Sequence, residues 1–219
     1  MKIKYSKYII STGMLFSLIV SYVLLFNDIS DVSYIHILYY IALLIYQTRY
    51  FYLINFQKKQ KVTFQLIEKQ RNPILLDTFI GLFLFSVIPI LLSYINKRFN
   101  TELNYGVFII FILYLFGTFI TLVSEMQRRN WKENHKEGLF KDGLFKYANH
   151  INYFGETLSF PAFCWLASGS VVIFIIVFIH QIVDFIFIQI PKQEKYLQNK
   201  YLQDFDEIKD RNKLIPWIY

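Results

Sequence analysis

The sequence predicts an all-α integral membrane protein: a bundle of about six transmembrane helices with an amphipathic C-terminal helix on the cytosolic side. Of the 219 residues, 55% are hydrophobic and 20% are aromatic, and the mean hydropathy is +0.34. Several apolar runs approach the ~20 residues that a helix needs to cross a bilayer. The 23 lysines and arginines lie mostly between these runs, as they do in membrane proteins.

Six apolar runs predict six spans, at about 8–26, 34–56, 73–95, 105–123, 155–167 and 170–190. The first run lacks a small-residue cleavage site, so we interpret it as a retained helix and not as a secretion signal. The fifth is short, and we expect it to form a tight hairpin with the sixth. Pro89 and Pro161 fall inside spans, where each frees a carbonyl that neighbouring polar groups have to satisfy.

Residues 1–219 are predicted to form a single membrane domain. Within it, residues 1–123 carry the four N-terminal spans and the expected substrate side, and residues 124–219 carry a polar loop, the helical hairpin and the tail. In the tail, Pro191 to Tyr219, apolar and aromatic residues recur at helical spacing. This pattern predicts an amphipathic helix that lies in the membrane interface or covers a cytosolic pocket.

The basic residues also predict the orientation. The N-terminus, the 57–72 loop, the 124–150 loop and the tail hold most of them, whereas the 27–33 turn has none. An even number of spans with both termini in the cytosol satisfies the positive-inside rule, in the cytoplasmic membrane if the cell is bacterial. We therefore attribute the net charge of +7 to membrane orientation, and no nucleic-acid recognition module accompanies it.

Several chemistries have no sequence signature here. The single cysteine, Cys164, allows neither an internal disulfide nor a cysteine metal site, and no spacing of histidines and carboxylates suggests zinc. No Gly-x-Gly-x-x-Gly follows a strand, and no Gly-x-Ser-x-Gly is present. We predict no metal, no Rossmann domain and no hydrolase elbow.

The polar stretch from Gly138 to Glu156 is the most informative segment of the chain. Polar groups near a bilayer cost free energy, so this segment is expected to bind something. Its amide, imidazole, phenol and carboxyl groups are those that hold an amide and ribose hydroxyls. If the helix of span four continues beyond residue 123, a carboxylate and three cations share one face just before this segment, and the cations suit a phosphate. These four are Glu125, Arg128, Arg129 and Lys132.

Five segments carry a resemblance: Glu125-Met-Gln127, Trp131-Lys132, the run from Gly143 to Glu156, the run from Gln189 to Lys195, and the tail from Lys200 through Arg211 to Pro216. With these segments the chain resembles the steroid 5-alpha-reductase C-terminal-domain family, in its small bacterial DUF1295-like branch of membrane reductases. The block Asn-Tyr-Phe-Gly-Glu, which ends at Glu156, is the most specific match. Arg49 in span two also matches a family arginine.

The resemblance implies a helical bundle that binds NADPH from the cytosolic side. The family reduces a carbon–carbon double bond conjugated to a carbonyl in a lipid-like substrate such as a steroid, an isoprenoid or an enoyl compound, so the expected partners are a lipid-soluble small molecule and membrane lipids. The positions that would line the cofactor by this likeness are Glu125, Gln127, Arg129, Lys132, His150, Asn152, Tyr153, Glu156, Lys192, Glu194, Tyr201 and Arg211. The motifs do not identify the acid that would polarise the carbonyl, and Tyr46 and Tyr114 are our candidates.

Four positions depart from the family pattern. Thr121 stands where a carboxylate is usual, Glu125 where the family has Asp, Asn149 where it has Arg, and Ile151 where it has Pro. A lost phosphate-binding arginine costs on the order of 1.5–3 kcal/mol if nothing replaces its charged hydrogen bond. Two alternatives therefore stay open: an S-adenosylmethionine-dependent membrane methyltransferase of the isoprenylcysteine-carboxyl type, and a degenerate member that binds lipid without turnover.

Two single residues have structural alternatives as well. Glu156 would be favoured electrostatically at the N-terminus of the fifth span, where it would cap a helix instead of binding a ligand. Arg49 lies near the cytosolic end of span two and would either extend to the lipid headgroups or reach an anionic cofactor.

Overall fold

The computed structural model describes residues 2–28, 31–56, 73–99, 105–135 and 137–216. Within these ranges every regular element is helical, which confirms the predicted all-α class. The basic 57–72 loop, on which the orientation argument partly rests, lies outside the described residues.

Nine α-helices follow one another in the described ranges: α1 (Lys2–Phe26), α2 (Tyr34–Phe56), α3 (Pro73–Leu82), α4 (Ile88–Phe99), α5 (Tyr105–Asn134), α6 (Ile151–Ser168), α7 (Val171–Asp184), α8 (Ile190–Lys200) and α9 (Leu202–Asp206). Two π-helical turns, Phe83–Val87 and Phe185–Gln189, continue α3 into α4 and α7 into α8 without a break. A 3₁₀ turn, Gly143–Lys146, lies in the loop before α6.

Five helical segments of the described chain are long and apolar enough to cross a membrane: Ser6–Phe26, Tyr34–Asn55, Thr78–Arg98, Tyr105–Asn134 and Val171–Lys200. The chain is therefore a multi-pass membrane protein. The expected fifth span, 155–167, corresponds to α6, which is not among these five. The last segment also runs ten residues beyond the expected end at residue 190, because α8 continues it.

Helix α6 differs from the other long helices in its surroundings. None of its 18 residues is exposed, whereas α7 presents isoleucines and valines outward along its length, including Val172 and Ile176, which are 64% and 60% exposed. Protein atoms cover α6, so it can carry polar residues that a lipid-facing helix would not tolerate. It begins at Ile151, four residues before the predicted start.

The chain divides into two compact units. The first consists of Met1–Phe108 and Trp165–Gly169, and the second of Ile109–Cys164 and Ser170–Tyr219. The predicted division after residue 123 lies within α5, which continues to Asn134. The assignment of the N-terminal spans to substrate stays a prediction.

In the first unit, polar side chains compensate for a proline. Pro89 has no N–H, and the carbonyl four residues earlier belongs to Phe85 in the π-helical turn. That oxygen accepts hydrogen bonds from Gln47 Nε2 at 2.8 Å and from Ser17 Oγ at 3.3 Å. Gln47 Nε2 also donates to Ser17 Oγ at 2.9 Å. This confirms the expectation that neighbouring polar groups satisfy the carbonyl freed at Pro89.

In the second unit, two glycines bring α5 and α6 into backbone contact. A Cβ atom on Gly117 would lie 2.6 Å from the Gly155 carbonyl oxygen and 2.7 Å from the Ser159 nitrogen. The same crossing places Thr121 against Gly155. The close approach fixes the start of α6 relative to the end of α5, and the predicted site residues lie on both.

The C-terminal tail is not one long amphipathic helix. Helix α8 ends at Lys200, where Tyr201 adopts φ −128° and ψ 35°, and the short α9 is followed by turns. Phe205, Ile208 and Leu214 are buried. The tail is therefore packed within the second unit, and residues 217–219 lie outside the described residues.

Candidate functional site

The end of α5 supplies the charged groups of the site. The helix continues past residue 123 as the site hypothesis required, and Glu125 forms an ion pair with Arg128 one turn later. Their side chains are only 11% and 19% exposed. Arg129 instead pairs with Glu133, Nε to Oε1 at 3.0 Å, so the two arginines serve different carboxylates.

Asn152 connects the start of α6 to this charged pair. Its Nδ2 donates to Glu125 Oε1 at 3.0 Å, and its backbone carbonyl accepts from Thr121 Oγ1 at 3.3 Å. Thr121 also donates to the Gly117 carbonyl at 3.1 Å. A carboxylate, which the resemblance led us to expect at this position, cannot donate to either carbonyl, so Thr121 has a structural function in this chain.

Gln127 holds the loop that precedes α6. Its Oε1 accepts from the Leu144 backbone N–H at 2.9 Å. Gly143 has φ +60°, a left-handed conformation that favours glycine, and a Cβ atom there would collide with the Gln127 amide. Gln127 is therefore occupied by the loop backbone.

A small apolar core packs residues of the loop against α5 and the start of α6. Phe140, Phe145, Ala148 and Ile151 are buried together with Ile120 of α5. Ile151, where the resemblance led us to expect proline, thus contributes to packing at the first position of α6. The guanidinium of Arg128 lies over the ring of Phe145, 5.7 Å from its centroid.

His150 lies in a stack of three rings. It is 3% exposed, its ring is nearly parallel to Tyr153 with centroids 5.5 Å apart, and Tyr153 stacks on Phe185 at 4.7 Å. Phe185 is the first residue of the second π-helical turn. This stack brings two of the predicted residues together and adds Phe185, which the motifs did not indicate.

Glu194 of α8 lies between two basic groups. Its Oε2 accepts from Lys213 Nζ at 2.9 Å, and its Oε1 is 3.9 Å from His150 Nε2. That distance is too long for a hydrogen bond. Both of these facing atoms are buried, and neither has a hydrogen-bond partner among the described residues.

Asn149 binds the tail and does not replace the lost arginine. Its Nδ2 donates to the Ile208 carbonyl at 2.7 Å, and its backbone N–H donates to the Asn212 carbonyl at 2.8 Å. The next residue, His150, donates its backbone N–H to the Lys213 carbonyl at 2.8 Å. Three hydrogen bonds therefore fasten the tail to the start of α6.

Further contacts join the tail to the beginning of the loop. Arg211 donates to the Lys141 carbonyl at 3.1 Å, and Asp204 accepts from the Leu139 N–H at 2.8 Å. The Lys141 ammonium pairs with Glu207, and this hydrogen bond raises the pKa of Lys141 above its usual value. Arg211 thus contacts the loop backbone directly.

Positive charge gathers around the ends of α5 and α8. The Lys132 ammonium lies within electrostatic range of Arg128 and Lys200 as well as of Glu125. Lys200 in turn lies over the rings of Tyr196, at 5.6 Å, and Tyr201, at 4.7 Å. Several cations near one carboxylate form an arrangement that attracts an anion.

The remaining predicted residues are more peripheral or differently placed. Lys192 is exposed and Glu156 is half-buried. Glu156 is the sixth residue of α6, which has no acid in its first turn. The alternative that Glu156 caps this helix is therefore wrong, because the helix begins four residues earlier than the sequence indicated.

The candidate acids Tyr46 and Tyr114 are both buried, at 7% and 2% exposure. Tyr46 belongs to the first unit and packs near Tyr50, and Tyr114 belongs to the second and packs near Phe163. Arg49 is 5% exposed and lies over the Tyr50 ring. The alternative that Arg49 extends to the headgroups is therefore wrong, and the alternative that it reaches an anionic cofactor stays a prediction.

Sequence reasoning missed Lys213 and Phe185 and gave Arg128 and Lys200 no place among the cofactor residues. Tyr196 and Lys200 are four residues apart on one helix face, a spacing that indicates their contact. No local spacing indicates the pair of Glu194 with Lys213, since they lie in different segments of the tail. The cofactor assignments themselves stay predictions.

The sequence profile of the DUF1295 family, described as a protein of unknown function, matches residues 48–211. This range includes the twelve positions predicted to line a cofactor and excludes Tyr46 and Lys213. No curated protein and no solved structure matches the chain.

Proposed function

The chain belongs to the steroid 5-alpha-reductase-like DUF1295 family, and we propose that it is a membrane-embedded NADPH-dependent reductase. Its substrate in this proposal is a lipid-like molecule with a carbon–carbon double bond conjugated to a carbonyl. The observation that carries the proposal is the gathering of charged and polar groups from α5, α6, α8 and the tail within the second unit.

The cations at the end of α5 suit the phosphates of a dinucleotide. Lys132 has Arg128 and Lys200 within electrostatic range, and like charges are held together at a cost that a bound anion offsets. Lys132 would contact the phosphates, and the Arg128–Glu125 pair would keep the surrounding charges in place. Asn149 forms hydrogen bonds to the tail, so the cations near Lys132 would have to perform the function of the missing arginine.

The buried polar atoms next to the tail suit the uncharged groups of a dinucleotide. His150 Nε2 and Glu194 Oε1 face each other without hydrogen-bond partners among the described residues, and a buried polar group without a partner costs about 1–3 kcal/mol. A ligand that offers a hydroxyl or an amide would remove that cost. The residues present therefore fit the cofactor that the family implies.

NADPH would supply a hydride when bound. The protein would orient it through Asn152 and Glu125, whose mutual hydrogen bond fixes both side chains. An acidic hydroxyl that donates to the substrate carbonyl would stabilise the developing negative charge. Tyr46 and Tyr114 remain our candidates for that hydroxyl.

A lipid-soluble substrate would approach through the bilayer. The helices expose many large apolar residues, among them Phe83, Phe116 and Phe119, and membrane-spanning surfaces of this kind face lipid. In this proposal α6 is a sixth crossing in addition to the five apolar segments. Both termini and the 124–150 loop then face the cytosol, where NADPH is available, as the basic residues predict.

A ligand-stabilisation experiment tests the proposal. Thermal unfolding of the protein in detergent is measured with NADPH and, separately, with S-adenosylmethionine. A ligand at a hundred times its Kd stabilises the native state by about 2.7 kcal/mol, and we expect this effect from NADPH. NADPH oxidation is then followed with a long-chain enone and with a short water-soluble enone, and we expect turnover with the first.

Matched lysine variants locate the site. Lys132→Met should weaken the NADPH response about tenfold or more, since one charged contact to a phosphate is lost. Lys146→Met is the control, because Lys146 is 64% exposed and pairs only with Asp142 among the described residues. Stabilisation by S-adenosylmethionine instead would indicate the methyltransferase, and stabilisation by neither would indicate a lipid-binding member without turnover.

A further inference from the structure

Lys213 lies outside the range that matches the family profile, yet it is linked to His150 of the candidate site directly through its backbone and indirectly through Glu194. Its backbone carbonyl accepts a hydrogen bond from the backbone N–H of His150 at 2.8 Å. Its ammonium donates to Glu194 Oε2 at 2.9 Å, and the other oxygen of that carboxylate faces His150 Nε2. The tail therefore holds both the backbone of His150 and the carboxylate opposite its ring.

The two contacts fix different degrees of freedom. The aromatic stack with Tyr153 sets the plane of the imidazole, and the hydrogen bond to the Lys213 carbonyl sets the backbone from which it extends. Glutamate side chains lose considerable rotamer freedom when they are ordered, so Glu194 needs an anchor to keep one oxygen in place. The Lys213 ammonium provides that anchor with a charged hydrogen bond.

The gap between Glu194 Oε1 and His150 Nε2 has a definite chemistry. At 3.9 Å the two atoms are too far apart to bond each other, and a small group next to both would lie within hydrogen-bond distance of each. A carboxylate oxygen accepts, whereas an imidazole nitrogen donates or accepts according to its tautomer. A hydroxyl group satisfies both atoms, because it donates and accepts at once.

We infer that Lys213 is a positioning residue, which holds the Glu194 carboxylate opposite His150 so that the pair binds a ribose hydroxyl of the dinucleotide. The inference rests on the proposed function for the identity of that ligand. The contact between Lys213, Glu194 and His150 does not depend on the ligand and is tested separately.

The first measurement needs no nucleotide. Nitrogen and carbon chemical shifts of the His150 ring are recorded by NMR on histidine-labelled full-length protein in detergent, with the His150 signals assigned through His150→Gln. We expect Lys213→Met to move these signals, because the carboxylate opposite the ring loses its anchor. Lys213→Arg should keep them near their wild-type positions, since a guanidinium also donates to a carboxylate.

The control is Lys209→Met. Lys209 lies in the same tail and also pairs with a carboxylate, Asp206, at 3.2 Å, but that pair is on the surface. This variant should leave the His150 signals unchanged. Unchanged signals in folded Lys213→Met would overturn the inference.

The second measurement is NADPH affinity. We expect Lys213→Met to raise the Kd about tenfold, the effect of one lost charged hydrogen bond, and Lys213→Arg to restore most of it. Glu194→Gln should also weaken NADPH binding, because it removes the carboxylate that Lys213 holds. Lys213→Met should add little in the Glu194→Gln background, because the effects of residues that act through one contact are not additive.

The outcomes separate the two proposals. Additive losses from the two variants, or wild-type affinity in Lys213→Met with moved signals, would overturn the inference that the pair binds the cofactor. No NADPH binding by the wild-type protein, with moved His150 signals in Lys213→Met, would overturn the proposed function instead and leave the positioning contact established. If Lys213→Met fails to fold, Glu194→Gln alone has to move the His150 signals, and unchanged signals in that variant overturn the inference.

Discussion

Two buried polar networks, one in each unit, solve different problems. Around Gln47 in the first unit, two neutral side chains donate to a carbonyl that Pro89 has deprived of its helical partner. Around Glu125 in the second unit, a carboxylate binds an arginine and an asparagine side chain. The first network repairs a backbone, and the second assembles charged side chains where no backbone defect requires them.

This difference distinguishes a polar network that the fold itself explains from one for which we propose a function. A side chain that satisfies an unpaired carbonyl has a sufficient explanation in the fold, because unpaired backbone groups are not tolerated within a bilayer. Charged side chains that bind one another carry a desolvation cost that a well-packed apolar pair would avoid. The network around Glu125 therefore needs a further reason, which a bound anion would supply.

The largest predicted effect comes from the crossing that holds the second network in place. Gly117→Ala should lower the free energy of unfolding by about 3 kcal/mol, since its Cβ would meet backbone atoms of α6 that cannot rotate away. Thermal unfolding in detergent, followed by circular dichroism, measures the loss.

Gly13→Ala is the matched substitution in the first unit. The nearest atoms to its Cβ belong to the side chains of Ser86 and Leu82, which can change rotamer, and alanine gains helix propensity over glycine. Its unfolding free energy should stay within about 1 kcal/mol of wild type. Equal losses at both glycines would show that backbone contact is not what distinguishes the α5–α6 crossing.

A pair of substitutions at the network centres should give the next largest effects. Glu125→Gln removes the charge that pairs with a mostly buried Arg128, and we expect a loss of about 2 kcal/mol. Gln47→Leu removes neutral hydrogen bonds while Ser17 still donates to the Phe85 carbonyl, so a loss of about 1 kcal/mol is expected. Denaturant titration of both variants compares them, and a larger loss at Gln47 would show that the charged network is not the more costly one to break.

The sequence predicted the helices well because their signal is local. Apolar runs of span length depend on nothing outside themselves, so 34–56 was predicted at its observed bounds. The predicted helix boundaries were wrong where tertiary contacts determine where a helix begins or ends. Helix α6 begins at Ile151, which is buried in the core beneath the loop, and α7 continues through a π-helical turn into α8 despite Pro191.

The site was predictable only as a set of residues and not as a set of contacts. Motif spacing identified His150, Asn152 and Glu194 as candidates. It did not show that Asn152 binds Glu125 or that Asn149 binds the tail, because residues 27 and 59 positions apart meet through packing that no periodicity encodes. From the sequence alone, Asn149 in place of an arginine indicates only the loss of a phosphate-binding group. In the structure its side chain forms a hydrogen bond to the tail.

The smallest effect is expected at the surface of the second unit. Lys141→Met removes ion pairs with Glu207 and with Asp204, and all three side chains reach solvent, so the variant should unfold only slightly earlier than wild type. The pKa of Lys141 is raised above 10.5 in the folded protein, so its contribution is complete below pH 10.5 and is lost as the pH rises through the raised value.

Unfolding curves of wild type and Lys141→Met at neutral and strongly alkaline pH test this. The difference should disappear at alkaline pH and shrink at high salt, because the pair is screened. A difference that persists under both conditions would mean that the Lys141 side chain stabilises the loop by packing and not through its charge.

The covered surroundings of α6 have a consequence for biosynthesis. A nascent segment enters the bilayer from the translocon when its own apolarity favours the transfer, and α6 is less apolar than the five spanning segments. It leaves the ribosome after α5 and before α7. Insertion of α6 into the membrane would therefore depend on contacts with helices already made, such as the close crossing with α5 at Gly117, and not on its own apolarity.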